Sequence, residues 1–146
     1  RGLADLYFER GEFDAALKEY LAAYARRNKD MRSLLQAGAS ARRAGKLDQA
    51  EALLKDAVRL HPQSWIARYN LACLQAQRGQ TELALQGLDD AIAHGMRYPN
   101  LLIEDADWNA LREDVHFKLL LQKVRKADAA GSPKTGDEDG DIPDAD

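Results

Sequence analysis

A step of 34 residues recurs along this chain and limits what it can fold into more than any other feature. Three series of small residues keep this step: Gly11, Gly45 and Gly79; Ala16, Ala50 and Ala84; Ala23, Ala57 and Ala91. A fixed period of this length is typical of helical repeat arrays, in which each unit packs only against its neighbours. The step therefore predicts an array that presents a surface to another protein.

The composition agrees with an all-helical fold. Ala, Leu, Glu, Lys, Arg and Gln dominate while Val and Ile are scarce, which favours helix over sheet. The net charge of -3 forms no concentrated basic face, so we expect no nucleic-acid partner. No apolar run approaches the roughly 20 residues that span a bilayer, so we expect no membrane insertion.

The single cysteine and the first residue bear on the compartment. Cys73 has no second cysteine to pair with, which favours the cytoplasm weakly over the periplasm. The chain opens on Arg1, inside a repeat, so we expect its true N-terminus to be missing. The compartment therefore stays unassigned.

Three units follow when the glycines are aligned, and each reads as a helix, a tight turn and a second helix. Their bounds are about 1–30, 31–64 and 65–98. A glycine ends each first helix because it tolerates the left-handed conformation. The small alanines allow the two helices of a unit to approach closely.

Several of the aligned residues resemble the tetratricopeptide repeat (TPR) family. The clearest matches are Tyr69-Asn70-Leu71-Ala72 in the third unit, and Gly45-Lys46-Leu47-Asp48-Gln49-Ala50 with His61-Pro62 in the second. The resemblance covers roughly residues 1–98. It implies an all-α fold, a right-handed superhelical solenoid of three helix-turn-helix units.

After Met96 we expect the period to stop, and residues 99–130 read as capping helices. Asp107 and Asp114 each suit the N-cap of a helical segment. The residues 105–117 resemble the closing segment of many bacterial TPR proteins. That resemblance implies a cap over the last apolar face, formed by Trp108, Leu111 and Phe117.

The last stretch, residues 131–146, differs from the rest in charge. It carries six acidic side chains against Lys134, a local charge of -5, and Ile142 is its one large apolar residue. We therefore expect an acidic disordered tail. A further hypothesis is that its aspartates fold back onto arginines of the array and compete with an acidic ligand.

No constellation of catalytic or metal-binding residues is visible. His61, His94 and His116 are dispersed, and there is no His-Glu-x-x-His, Cys-x-x-Cys or glycine-rich phosphate loop. We therefore expect no enzyme, no catalytic residue, no metal and no cofactor.

The TPR resemblance also implies where a partner would bind, because the first helix of each TPR unit lines a concave groove. The groove residues carried over by alignment are Asp5, Phe8, Arg32, Gln36, Arg42, Arg43, Tyr69, Asn70, Cys73 and Gln77. The three arginines suit a peptide with carboxylates, through bidentate pairing. The alternative is that these arginines only solvate a helix face.

One TPR activity, the clamp for the C-terminal carboxylate of chaperones, can be tested on the sequence. The chain matches the clamp only at Asn70. Gln36 and Asp5 stand in place of asparagines, and Ile66 stands in place of a lysine. We therefore do not expect chaperone-tail binding.

Three hypotheses of function follow. The leading one is a non-catalytic protein-protein interaction module, a scaffold or adaptor that binds a peptide or helical segment of a partner protein in its concave groove. The alternative is a C-terminal regulatory or substrate-recruiting TPR domain of a larger bacterial enzyme, such as a kinase, cyclase or peptidase. A third is self-association, with arrays stacking end to end through the first repeat.

Overall fold

The computed structural model of the chain describes residues 2–26 and 30–131, and all regular structure in these residues is helical. The elements are α1 (Leu3–Glu9), α2 (Phe13–Arg26), α3 (Met31–Arg43), α4 (Leu47–Leu60), α5 (Trp65–Gln77), α6 (Thr81–Ala93), α7 (Pro99–Glu104), a 3-10 helix (Ala106–Leu111) and α8 (Val115–Ala129). The all-α class predicted from the composition and the repeat is therefore confirmed. The predicted acidic tail lies outside the described residues, apart from Gly131.

The chain divides into two compact units, Arg1–Pro62 and Gln63–Asp146. In the first unit α1 packs against α2, α2 against α3, and α3 against α4. In the second unit α5 packs against α6 and the 3-10 helix, while α8 packs against α6 and α7. The predicted bounds of the three repeats and the cap stay a prediction.

The starts of the helices keep the 34-residue step beyond the last members of the glycine and alanine series, Gly79, Ala84 and Ala91. First helices begin at Met31, Trp65 and Pro99, and second helices begin at Phe13, Leu47, Thr81 and Val115. The expectation that the period stops after Met96 is therefore wrong for the helix starts. Proline suits the first turn of a helix, where an N–H lacks a partner in any case, and Pro99 accordingly opens α7.

The glycine turns between paired helices have the predicted conformation. Gly11, Gly45 and Gly79 have φ values of 78°, 81° and 77°, a region that residues with a Cβ rarely adopt. Ala50 and Ala84, which lie five residues after two of these glycines, are both 0% exposed. The recurring small residues therefore mark the turns and the close contacts between helices.

Side-chain caps fix the starts of several helices, and one differs from the prediction. Asp114 accepts a hydrogen bond from the backbone N–H of Phe117 at 3.1 Å, as expected for the N-cap of α8. The 3-10 helix is capped by Asp105, whose carboxylate accepts from the backbone N–H of Asp107 at 3.0 Å. Asp107 is thus the capped residue and not the cap, because a carboxylate bonds the N–H two residues ahead.

Candidate protein-binding site

The groove residues predicted on α3 separate into an exposed set and a buried one. Arg32 and Arg43 are exposed and Gln36 is half-buried. Arg32 and Arg43 are eleven residues apart, so they lie on nearly the same face of α3, about 16 Å from one another along its axis. This face of α3 therefore carries two exposed arginine residues.

Arg42 does not belong to that exposed face. Only 8% of its surface is exposed, in contrast to the expectation that it joins Arg32 and Arg43 in pairing with carboxylates. Successive residues of an α-helix are rotated by about 100°, so Arg42 and Arg43 point in different directions. Arg42 lies on the buried side of α3 with Leu34 and Ala41.

Two aromatic rings hold the guanidinium of Arg43. Its central carbon lies 5.3 Å from the ring centre of Phe8 and 5.6 Å from that of Phe13. The two rings meet edge to face, with centroids 5.2 Å apart. A cation over aromatic faces is attracted by the ring quadrupoles, so this cluster fixes the orientation of Arg43. Phe13 was not among the predicted groove residues, although it directly follows the first glycine turn.

Asp5 lies next to the interior of the first unit. The hydroxyl of Tyr20 donates a hydrogen bond to the carboxylate of Asp5. Burial, followed by the hydrogen bond and charge of Asp5, raises the pKa of Tyr20 well above its usual value. The hydrogen bond of Gln36 and the charge of Arg32 act on the same pKa in the opposite direction. Four predicted or neighbouring polar groups from α1, α2 and α3 therefore interact in one cluster.

In the second unit, two predicted groove residues are buried beneath the 3-10 helix. Tyr69 is 0% exposed and Cys73 is 3% exposed. The hydroxyl of Tyr69 donates to Asp105 at 3.2 Å and accepts from the indole N–H of Trp108 at 3.0 Å. Burial, followed by the charges of Cys73 and Asp105, raises the pKa of Tyr69 well above its usual value. Neither side chain is accessible to a partner in this arrangement.

The other two predicted residues of α5 are more accessible. Asn70 is half-buried, and its amide donates to the carbonyl of Ile66 at 2.9 Å, one turn earlier. Gln77 is exposed in the last turn of α5. The groove assignment as a whole stays a prediction, and its accessible members are Arg32, Arg43 and Gln77.

One group of possible metal ligands forms that the sequence alone does not reveal. Atoms of Cys73, Asp105 and Asp107 that could bind a metal lie within 4.8 Å of one another. The thiol of Cys73 lies 3.6 Å from the carboxylate of Asp105, which also caps the 3-10 helix. These hydrogen bonds give the group a structural role, and we assign no metal site to it.

The family of the chain follows from comparison with known proteins. A sequence profile described as Tetratricopeptide repeat matches residues 35–99, which contain most of α3, all of α4 to α6 and the start of α7. Residues 35–99 of the chain therefore belong to the tetratricopeptide repeat family. A search of curated protein sequences found no significant match.

Solved structures share the fold over most of the chain. The crystal structure of MamA has a TM-score of 0.68 at 21% identity, with 90% of this chain and 77% of that chain covered. The Yersinia enterocolitica type III secretion chaperone SycD, in complex with a peptide of the translocator YopD, has a TM-score of 0.58 at 20% identity, with 88% and 86% covered. A second SycD structure, described as an alternative dimer, has a TM-score of 0.59 at 19% identity, with 85% and 87% covered.

The TPR fold supports a role as a protein-interaction module. At these identities the structural likeness concerns the fold alone. Among the described helices, none has both the length and the apolar character needed to cross a membrane.

Proposed function

We propose that this TPR protein is a non-catalytic interaction module whose α3 face binds an acidic, extended segment of a partner protein. The observation that carries the proposal is the position of Arg43. Its guanidinium rests over the rings of Phe8 and Phe13, and the residue is still exposed on the face that it shares with Arg32.

A guanidinium held in this way is suited to binding carboxylates. Arginine presents a planar fork of N–H donors that matches the two oxygens of a carboxylate. Stacking on Phe8 and Phe13 restricts the long side chain before the partner arrives, so less conformational entropy is lost on binding. Arg43 is therefore the anchor of the proposed site.

The spacing of the two arginines defines the shape of the partner. The separation of about 16 Å along α3 equals about five residues of extended chain. Because successive side chains of an extended segment point to opposite faces, two acidic residues four positions apart lie on one face, about 13 Å from one another, and the long arginine side chains can span the remaining difference. Between them, the Gln36 side chain offers an amide and Ala39 is small, so the backbone of the segment has room to approach.

Two further points support this function. SycD, which shares the fold, is seen with a peptide of its translocator bound. Tyr69 and Cys73 are buried in the second unit, and the proposed site on α3 does not depend on their side chains.

Fluorescence anisotropy with synthetic peptides tests the proposal. The probe is a labelled peptide with two glutamates four positions apart, compared with one whose glutamates are adjacent and one in which lysines replace them. We expect the first peptide to bind the tightest, with affinity falling as salt rises because the contacts are ionic.

Matched charge reversals locate the site. Arg43→Glu is expected to weaken binding at least about tenfold, because it removes the anchor and adds repulsion. Lys18→Glu, an equal charge change at an exposed position of α2, is expected to change affinity less than about twofold. Equal losses in the two variants, or equal affinity for all three peptides, would contradict the proposed site.

A further inference from the structure

The surface that carries the proposed site has charges of both signs, on two neighbouring helices. Arg32 and Arg43 lie on α3, while Asp5 and Glu9 lie on α1. Asp5 and Glu9 are four residues apart, so they share one side of α1 and lie about 6 Å from one another along its axis. We call Asp5 and Glu9 the acidic edge, and Arg32 and Arg43 the basic edge.

Contacts through Tyr20 place Asp5 close to α3. The hydroxyl of Tyr20 donates to the carboxylate of Asp5 and is also hydrogen-bonded to Gln36. The charge of Arg32 acts on the same hydroxyl. A carboxylate can accept several hydrogen bonds, so Asp5 keeps acceptor capacity beyond its bond with Tyr20.

The other residue of the acidic edge lies beside the anchor arginine. Glu9 is exposed and directly follows Phe8, whose ring centre lies 5.3 Å from the guanidinium carbon of Arg43. The order of these contacts shows that α1 and α3 run in the same direction here, with Asp5 towards Gln36 and Glu9 towards Arg43. The acidic edge and the basic edge therefore border one surface of the first unit.

The acidic edge acts on any segment that binds the basic edge. A segment with acidic side chains alone is attracted by the arginines of α3 and repelled by the carboxylates of α1. A segment that also directs cationic side chains towards α1 replaces this repulsion with attraction. The charges of α1 therefore discriminate among segments that α3 alone would bind equally well.

We propose that the partner segment alternates in charge, with acidic side chains on the basic edge and lysine or arginine side chains on the acidic edge. The inference rests on the proposed function, since the segment has to lie along α3. In an extended segment successive side chains point to opposite faces. With acidic residues at positions 1 and 5 directed towards α3, positions 2 and 4 are directed towards α1.

The spacing of the acidic edge agrees with this arrangement. Positions 2 and 4 of an extended segment are about 7 Å apart, which is close to the separation of about 6 Å between Asp5 and Glu9 along α1. Both cationic side chains therefore reach a carboxylate while positions 1 and 5 reach the arginines. Position 3 shares the face of positions 1 and 5, so a cation there meets the basic edge instead.

Fluorescence anisotropy with three labelled peptides tests the charge pattern. The first peptide has glutamates at positions 1 and 5 with serines elsewhere, and the second also has lysines at positions 2 and 4. The third has the composition of the second, but its lysines are at positions 3 and 7, on the same face as the glutamates. We expect the second to bind about fivefold more tightly than the first, as two partly exposed ion pairs provide, and the third to bind more weakly than the first. Equal affinity of the second and third peptides would overturn the proposal.

Neutral variants of the acidic edge assign the preference to its residues. Asp5→Asn combined with Glu9→Gln removes both charges and keeps an acceptor oxygen for Tyr20. This double variant is expected to bind the first and second peptides with affinities within about twofold of each other. Circular dichroism is expected to show the helix content of the parent chain. A double variant that keeps the full preference would overturn the proposal.

An equal charge change on another helix is the control. Glu9→Gln alone is expected to lower the preference for the second peptide to about twofold. Asp56→Asn, at an exposed residue of α4, is expected to keep the preference of about fivefold. Equal losses in the two variants would contradict the role of the acidic edge.

The same titrations separate this inference from the proposed function. If the first peptide binds and lysines at positions 2 and 4 bring no gain, the site on α3 stands and the alternating pattern is wrong. If neither the first nor the second peptide binds, the proposed function and this inference are both wrong.

Discussion

The two units each contain a hydrogen bond between a tyrosine and an aspartate, and the two bonds differ in their depth. In the first unit Tyr20 donates to Asp5, which is half-buried. In the second unit Tyr69 donates to Asp105, which is 1% exposed, and also accepts from Trp108. The same pair of groups therefore lies at the edge of a candidate binding surface in one unit and within the core in the other.

The difference shows how a repeat can use one chemistry for two purposes. A carboxylate near water loses little when its partner is removed, since water replaces the hydrogen bond. A buried carboxylate has no such replacement, so its removal leaves donors unsatisfied. We therefore expect substitutions in the second unit to affect stability and substitutions in the first unit to affect binding.

The largest expected effect is the loss of Trp108. Its ring is 0% exposed and contacts Tyr69 and Phe117, with centroids 6.1 Å and 5.5 Å away. Trp108→Ala is expected to lower the free energy of unfolding by about 3–5 kcal/mol, from lost burial and the cavity left behind. Phe8→Ala, at a half-buried ring of the first unit, is expected to cost less than half as much.

Urea unfolding measures both effects with two probes. Trp65 and Trp108 are the only tryptophans and both lie in the second unit, so fluorescence reports on that unit while far-UV circular dichroism reports on all helices. If Phe8→Ala lowered the free energy of unfolding as much as Trp108→Ala does, the proposed difference between the two units would be wrong.

The next effect sharpens the comparison of the two aspartates directly. Asp105→Ala removes the acceptor for the Tyr69 hydroxyl and for the backbone N–H of Asp107. It is expected to lower the free energy of unfolding by about 2–4 kcal/mol. Asp5→Ala is expected to cost about 1 kcal/mol, because Asp5 is partly hydrated. Asp105→Asn keeps an acceptor oxygen and serves as the control, with a smaller loss than Asp105→Ala. Equal losses for Asp5→Ala and Asp105→Ala would contradict the role of depth.

A third effect concerns alkaline pH. Burial raises the pKa of both Tyr20 and Tyr69 in the folded chain, whereas an unfolded tyrosine has a pKa of about 10. The stability that each raised pKa contributes is complete below about pH 10 and decreases as the pH rises further, by up to about 1.4 kcal/mol per pH unit for each tyrosine.

Unfolding free energies measured between neutral pH and pH 11.5 or so check this dependence. Tyr69→Phe and Tyr20→Phe are each expected to make the decrease above about pH 10 shallower than in the parent chain. The slope is the informative quantity, since a phenylalanine also changes packing and hydrogen bonding at every pH. An unchanged slope in both variants would show that neither tyrosine is protected in the folded state.

The sequence predicted the fold largely because its signals are local. The φ values of Gly11, Gly45 and Gly79 confirm turns that the 34-residue step alone had located. Each helix pair is short, so the periodicity of small and apolar residues determines both its length and its contacts. The start of α7 at Pro99 was missed because the fourth pair keeps the step without keeping the glycine and alanines.

The candidate site was harder to predict, since it depends on contacts between distant residues. Alignment with TPR proteins placed Tyr69 and Cys73 in the groove, but Asp105 and Trp108, more than 30 residues later, cover them. Arg42 and Arg43 are adjacent in sequence, and only the packing of α3 shows which one is exposed. The stacking of Arg43 on two rings likewise requires three helices to be in place.

The smallest expected effects come from two helical glycines, one in each unit. A Cβ on Gly38 would lie 2.8 Å from Cδ2 of Leu54, which is itself buried, so that side chain must shift within the core. A Cβ on Gly87, at a half-buried position, would lie 3.1 Å from Cβ of Ala72, a gap that a displacement of a few tenths of an ångström relieves. Alanine also gains up to about 1 kcal/mol of helix propensity over glycine.

The balance of these terms gives the two substitutions different outcomes. Gly38→Ala is expected to destabilise the chain by about 1 kcal/mol, because overpacking in the buried core outweighs the propensity gain. The free energy of unfolding of Gly87→Ala is expected to stay within about 0.5 kcal/mol of that of the parent chain. The close contact with Ala72 is offset by the same gain in helix propensity. Thermal unfolding of the two variants side by side measures the difference. A more stable Gly38→Ala would mean that Leu54 repacks without cost, and that the first unit tolerates change in its core as well as at its surface.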